Sequence, residues 1–104
     1  MTRLAGKHAF VTGGRQGIGR GIVVAFVSEG AAVTTCGRGP RPDDLPESVA
    51  WHTLDVTDAA AVAQVVQPMD ILVNNAGVQV EKTVTESTDE DWEAVIGPNC
   101  RGVF

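Results

Sequence analysis

The 104-residue chain, 43% hydrophobic and 20% charged, has the makeup of a globular domain with room for one modest core and none for a separate substrate domain. Its net charge of −5 argues against nucleic acid as a partner. No apolar run approaches the roughly 20 residues that span a bilayer, and the first residues hold no signal-like apolar core, so a cytoplasmic protein with no membrane partner is expected.

The first expected element is a buried parallel strand at His8-Ala9-Phe10-Val11, ended by a glycine cluster. Ile18, Ile22, Ala25 and Phe26 then recur at helical spacing, which predicts a helix with this face inward and Gly30 closing it. Ala32 to Cys36 follows as a second strand, completing a βαβ unit with a right-handed crossover. Gly37 to Pro46 contains Gly39, Pro40 and Pro42 and is expected to be a loop.

Trp51 to Leu54 reads as a third strand, and Asp58 to Gln67 as a helix capped by Thr57 or Asp58 and stopped by Pro68. Asp70 to Val73 is the fourth strand and ends at Asn74-Asn75-Ala76-Gly77. Thr88, followed by Asp89, Glu90 and Asp91, marks a third helix, because early carboxylates favour the positive end of the helix dipole. Trp92, Val95 and Ile96 are expected on its core side, and Pro98 is expected to bend or break it. Strands alternating with helices predict an α/β fold, a doubly wound parallel sheet of about four strands.

Cys36 and Cys100 are distant from each other and are expected to be reduced thiols. His8 and His52 have no metal-ligand spacing with them, so no metal site is expected. The charge is unevenly spread. Residues 1–41 hold six cations against Glu29 alone, a net +5, whereas the rest holds two cations against twelve acids, a net −10. The basic excess therefore surrounds the glycine-rich turn at Thr12-Gly13-Gly14-Arg15-Gln16-Gly17-Ile18-Gly19.

That turn lies between a strand and an amphipathic helix, where glycines have distinct uses. Gly13 lets the chain reverse, Gly17 lets backbone approach a pyrophosphate, and Gly19 lets the helix pack closely. The free amides and positive dipole of the helix starting near Gly17 then receive phosphate charge. A purely structural strand-to-helix turn is the competing explanation, and a methyltransferase-like nucleotide fold also fits the first βαβ unit.

The spacing Gly13-xxx-Gly17-x-Gly19, with Thr12 in front, resembles the TGxxxGxG signature of the short-chain dehydrogenase/reductase family. Asn74-Asn75-Ala76-Gly77 resembles that family's NNAG segment, and Asp55-Val56 its adenine-contacting pair. Asn99 falls where the family keeps a helix asparagine that supports catalysis. The resemblance runs from about Lys7 to Phe104. It implies a Rossmann-type sheet and an NAD(P)-dependent oxidoreductase interconverting an alcohol and a carbonyl, a homo-oligomer when full length. The implied cofactor-binding residues are Gly13, Arg15, Gln16, Gly17, Ile18, Gly19, Arg38, Asp55, Val56, Asn75, Ala76 and Gly77, with Asn99 catalytic. Asp55 has a second possible use, capping the next helix, and Asn99 is either a plain polar helix residue or the holder of a relay water.

A cofactor with a bare ribose 2′-OH is usually read by a carboxylate at the end of strand two. Alignment with the family puts Gly37 there, followed at once by Arg38, which with Arg15 or Arg41 suits a 2′-phosphate. NADP is therefore expected ahead of NAD, although Gln16 stands where many NADP-preferring members carry a basic residue. The family's catalytic Tyr-xxx-Lys pair is missing, since the chain contains no tyrosine. Residues 1–104 accordingly read as the N-terminal, cofactor-binding portion of one Rossmann domain, truncated before that pair. The fourth strand, central in the family, would then be an edge. A non-catalytic nucleotide-binding fragment or pseudoenzyme is the alternative. Two further departures are the short segment Asp58 to Asp70 and the position of Pro98.

Overall fold

A computed structural model of the chain describes residues 2–77 and 82–103. Four parallel strands, β1 (His8–Thr12), β2 (Ala32–Gly37), β3 (Ala50–Thr53) and β4 (Ile71–Val73), form one sheet in the order β3-β2-β1-β4. Helix α1 (Gly17–Ser28) joins β1 to β2, α2 (Ala59–Val65) joins β3 to β4, and α3 (Asp89–Ile96) follows β4. This is the expected α/β architecture of Rossmann type, with β3 and β4 as its edges. The register pairs Val11 with Thr35 and with Val73, and Gly37 with Thr53.

Alternation along β1 builds a core on each face of the sheet, since successive strand residues point to opposite sides. Val11 joins Val23 of α1, Val33, Leu45 and Val49 on one face, with Ile22, Phe26, Val27 and Trp51 packed around them. Phe10 joins Cys36 and Leu54 on the other, covered by Val56, Ala61, Val62, Val65 and Met69. Helices α1 and α2 therefore lie on opposite faces, and the sheet is doubly wound.

Local chemistry explains the ends of the helices. Gly30, at φ +92°, closes α1: its N–H donates to Val27 O and that of Ala31 to Phe26 O, a Schellman arrangement. Of the two candidate caps for α2, the structure selects Asp58, whose Oδ1 accepts the Ala61 N–H at 3.1 Å. Thr88 and Asp91 form a reciprocal capping box at the start of α3. Regular α-helix stops at Ile96, and residues Gly97–Arg101 turn in π geometry, with Gly102 N–H donating to Gly97 O at 2.7 Å. Pro98 has no N–H for the α ladder, which accounts for the break expected there.

Two expectations about inward faces need correction. The inward residues of α1 are Gly19, Ile22, Val23, Phe26 and Val27, whereas Ile18 is 79% exposed and Ala25 is exposed. The absence of a Cβ at Gly19 draws the first turn against Gly13, and 100° of helical rotation then carries Ile18 outward. Trp92 is also exposed, although Val95 and Ile96 are half-buried. Burial becomes complete only beyond the C-terminal end of α3, at Gly97 and Pro98 of the π turn, among the described residues of this segment.

Candidate nucleotide-binding site

The carboxyl ends of β1 and its edge neighbour β4 part company, because β1 continues into α1 on one face while β4 leads into the Asn74–Gly77 loop. Thr12 bridges the two ends. Its hydroxyl accepts the N–H groups of Asn75 and Ala76, both at 3.0 Å, and donates to Val73 O at 3.4 Å. The Asn75 carboxamide donates to Gly13 O at 3.2 Å. Of the two adjacent asparagines, Asn75 ties this loop to the glycine turn, whereas Asn74 lines an apolar hollow with Leu72, Val66 and Met69.

The glycine turn is held from below by a residue that sequence patterning did not single out. Thr35 is fully buried, its hydroxyl donating to Val11 O at 2.6 Å and accepting the Gly14 N–H at 3.0 Å. A Cβ on Gly14 would overlap that hydroxyl, so glycine is needed there as well. A buried threonine pair in a strand is the only sequence signal that hints at this. Arg20 holds the same turn from the side: Nε donates to Gly14 O at 2.9 Å and Nη2 to Arg15 O at 2.7 Å, while Nη1 meets Asp44 at 3.0 Å.

Gly13 and Gly17 have φ of +75° and +62°, a region that side chains disfavour. A Cβ on Gly17 would meet open space, so its role is conformational and it leaves the start of α1 uncovered. Gln16 is the N-cap residue but its side chain makes no capping bond, and the first turn of α1 holds no acid. The helix terminus thus keeps its unsatisfied donors and partial positive charge. A Cβ on Gly19 would overlap Gly13 O and Asn75 Nδ2, which is the close packing expected of that position.

A cleft of about 140 Å³ opens beside this turn, lined by Gly13, Gly37, Arg38, Val56, Ala76 and Gly77, with Cys36, Leu54 and Pro98 completing its wall. Burial pushes the Cys36 thiol pKa up, and the Gly13 backbone offsets part of that rise, so Cys36 stays a neutral wall residue. Arg15 and Gln16 lie outside this cleft, in a neighbouring hollow lined by Pro40, Arg41, Pro42, Asp43 and Asp44. Arg41 is already engaged: Nη1 donates to Val49 O at 2.6 Å and Nη2 to Pro46 O at 2.8 Å, which fixes the 45–49 loop. That leaves Arg38 and Arg15 as the cations available near the end of β2.

Asp55 follows β3 and is exposed, but it is not idle. Its Oδ1 accepts both the Thr57 N–H at 2.9 Å and the Thr57 hydroxyl at 2.7 Å. These hydrogen bonds, helped by the charge of Arg38, hold its carboxyl below the usual range. The cap of α2 is Asp58, so Asp55 is not its capping residue. Asn99 belongs to the π turn and faces the Asn74–Gly77 loop: a Cβ on Gly77 would fall 2.5 Å from Asn99 Oδ1. The fold therefore assembles Gly13, Arg38, Val56, Ala76 and Gly77 around one crevice, with Asn99 against Gly77 and Gly19 against Gly13, while Gly17 and Ile18 stand at the exposed start of α1.

The model of the short chain dehydrogenase family matches residues 7–104. The chain belongs to that family. It is 35% identical to a 3-oxoacyl-[acyl-carrier-protein] reductase, FabG, of Thermotoga maritima, over 98% of this chain and 48% of the relative. It is 36% identical to an NADP-dependent (R)-specific alcohol dehydrogenase of Lentilactobacillus kefiri, over 98% of this chain and 46% of the relative. Among solved structures it superposes with a TM-score of 0.88 on the 3-ketoacyl-(acyl-carrier-protein) reductase of Brucella melitensis complexed with NADH, at 28% identity, over 96% of this chain and 47% of that one. The chain spans about half the length of the curated relatives it matches. Its four-stranded sheet is correspondingly an incomplete version of theirs. Among the described residues, no helix is long and apolar enough to cross a membrane.

Proposed function

We propose that this chain is the cofactor-binding portion of a dehydrogenase or reductase that interconverts an alcohol and a carbonyl, with NADP(H) preferred over NAD(H). The observation that carries the reading is the uncapped start of α1 beside the Asn74–Gly77 loop, at the point where β1 and β4 diverge. Open α/β sheets bind nucleotides in such a crevice, outside the carboxyl ends of the strands. The residues present fit a dinucleotide, since Gly17 leaves open space at the uncapped start of α1 and Arg38 lines the cleft beside the turn.

In this reading the amides of Gly17, Ile18 and Gly19 take the pyrophosphate, with Arg15 and Gln16 at the rim. Asp55 and the Val56 backbone receive the adenine, and Ala76 and Gly77 allow backbone close to the nicotinamide ribose. Asn75 holds the crevice together through Gly13. Arg38 binds the 2′-phosphate by charge-assisted hydrogen bonds, because the end of β2 carries no carboxylate to repel it. When bound, the nicotinamide supplies or accepts the hydride. Asn99 orients a water for proton relay next to the crevice. The related alcohol dehydrogenase described as NADP-dependent supports the cofactor class.

Cofactor binding without turnover is the second reading. Calorimetric titration with NADPH and NADH, followed by assay against a panel of carbonyls, separates the two. Arg38→Asp reverses the order of NADPH and NADH affinities, since a charge-assisted hydrogen bond contributes about 1.5–3 kcal/mol. Unchanged affinities would sink the assignment of Arg38.

A further inference from the structure

Gly37 is the last residue of β2 and pairs with Thr53 of β3. A Cβ built on it would fall 2.7 Å from Cη2 and 3.2 Å from Cζ2 of Trp51. Trp51 pairs with Thr35, two residues before Gly37, so its side chain and any side chain at 37 share one sheet face. The outer edge of the indole therefore occupies the space through which residue 37 would project.

The ring is anchored there. Its Nε1 donates to Thr53 Oγ1 at 3.3 Å, and Thr53 Oγ1 donates to Gly39 O at 3.0 Å. Its inner side packs on the core shared with α1. Arg15 also comes close, its Cβ 3.8 Å from the same point, while its guanidinium stands beside Gly39. An indole from β3 and a cation from the glycine turn thus both stand beside the end of β2.

The end of β2 is where a carboxylate would hydrogen-bond a bare ribose 2′-OH. We infer that Trp51 is a specificity-determining residue, whose indole fills the side-chain slot of position 37 and so commits the 2′-position of the cofactor to the cations Arg38 and Arg15. The inference rests on the reading of the cleft as an NADP(H) site. Its consequence is non-additivity. A carboxylate introduced at 37 must displace the indole and is deflected from the ribose, whereas the same carboxylate with a small residue at 51 has an open path.

Calorimetric affinities for NADPH and NADH test this on the whole chain, Gly37→Asp, Trp51→Val and the double variant. Gly37→Asp alone weakens both cofactors and leaves NADH no better than NADPH, while the double variant prefers NADH by tenfold or more. A Gly37→Asp variant that prefers NADH as strongly as the double variant overturns the inference, and so does a double variant that still prefers NADPH. A parent chain that binds neither cofactor overturns the cofactor reading itself. The steric claim has its own check, independent of cofactor: Gly37→Ala lowers the melting temperature when Trp51 is present and not when it is valine. Equal losses in both backgrounds overturn it.

Discussion

The carboxamide of Asn75 donates to the carbonyl oxygen of Gly13 across 3.2 Å, joining the ends of two strands that lie 62 residues apart in the chain. The contact exists because Gly19 has no side chain: a methyl there would overlap both groups. Gly19→Ala is therefore expected to destabilise the fold by about 1–3 kcal/mol, the usual cost of overpacking. Gly21 is the control, since it sits in the same helix with open space around it. Gly21→Ala should stabilise by about 0.5–1 kcal/mol through helix propensity alone. Urea denaturation of both variants checks this, and effects of the same sign would rule out the packing argument.

Thr12 uses its full hydrogen-bonding capacity, accepting two amide N–H groups and donating once. Thr12→Val keeps the shape but leaves those amides without their acceptor, at a cost of about 1–3 kcal/mol. Thr12→Ser should recover most of the loss. Amide exchange at Asn75 and Ala76 should accelerate in the valine variant and not in the serine variant.

Arg20 makes two kinds of contact, and their expected weights differ. Its bonds to Gly14 O and Arg15 O hold the shape of the glycine turn, while its partner Asp44 is 82% exposed. Exposed ion pairs contribute about 0–1 kcal/mol. Arg20→Met is thus expected to weaken NADPH binding tenfold or more, whereas Asp44→Asn changes it less than threefold. Comparable losses from the two would mean that the ion pair, not the turn, is what Arg20 serves.

Asp55 is ionised more readily than an ordinary aspartate, first because the Thr57 hydroxyl and then the Thr57 N–H bond its carboxylate. A folded pKa below the unfolded value of about 3.9 stabilises the fold fully above that pH, and the stabilisation is lost as pH falls through the lower folded value. Asp91 behaves in the same direction, held chiefly by Lys82. Thr57→Val should raise the Asp55 pKa toward its ordinary value, read by NMR titration of the carboxyl carbon. An unmoved pKa would show that Arg38 or the backbone, not the hydroxyl, sets it.

Much of this was legible along the chain because the signals are local. Apolar runs marked the four strands, Thr88 with Asp91 marked the start of α3, and Gly30 marked the end of α1, each through contacts within a few residues. Ile18 and Trp92 misled for a related reason. Helical spacing groups residues into a stripe, but the close contact at Gly19 decides how the stripe of α1 is turned, and the neighbouring elements decide how far that of α3 is covered. Likewise Arg41 carries the same charge as Arg38, but the 45–49 carbonyls take up its guanidinium.

By itself the sequence determined the order of the elements, the glycine conformations of the first turn and the family, since these depend on residue type and short spacing. Only the tertiary structure decided what stands against that turn. Thr35 from beneath, Asn75 at its side and Trp51 over Gly37 reach their places through strand register, which brings together residues 14 to 62 positions apart. Spacing along a chain carries no record of which side chain will fill the room beside a glycine; the packing of one strand against the next does.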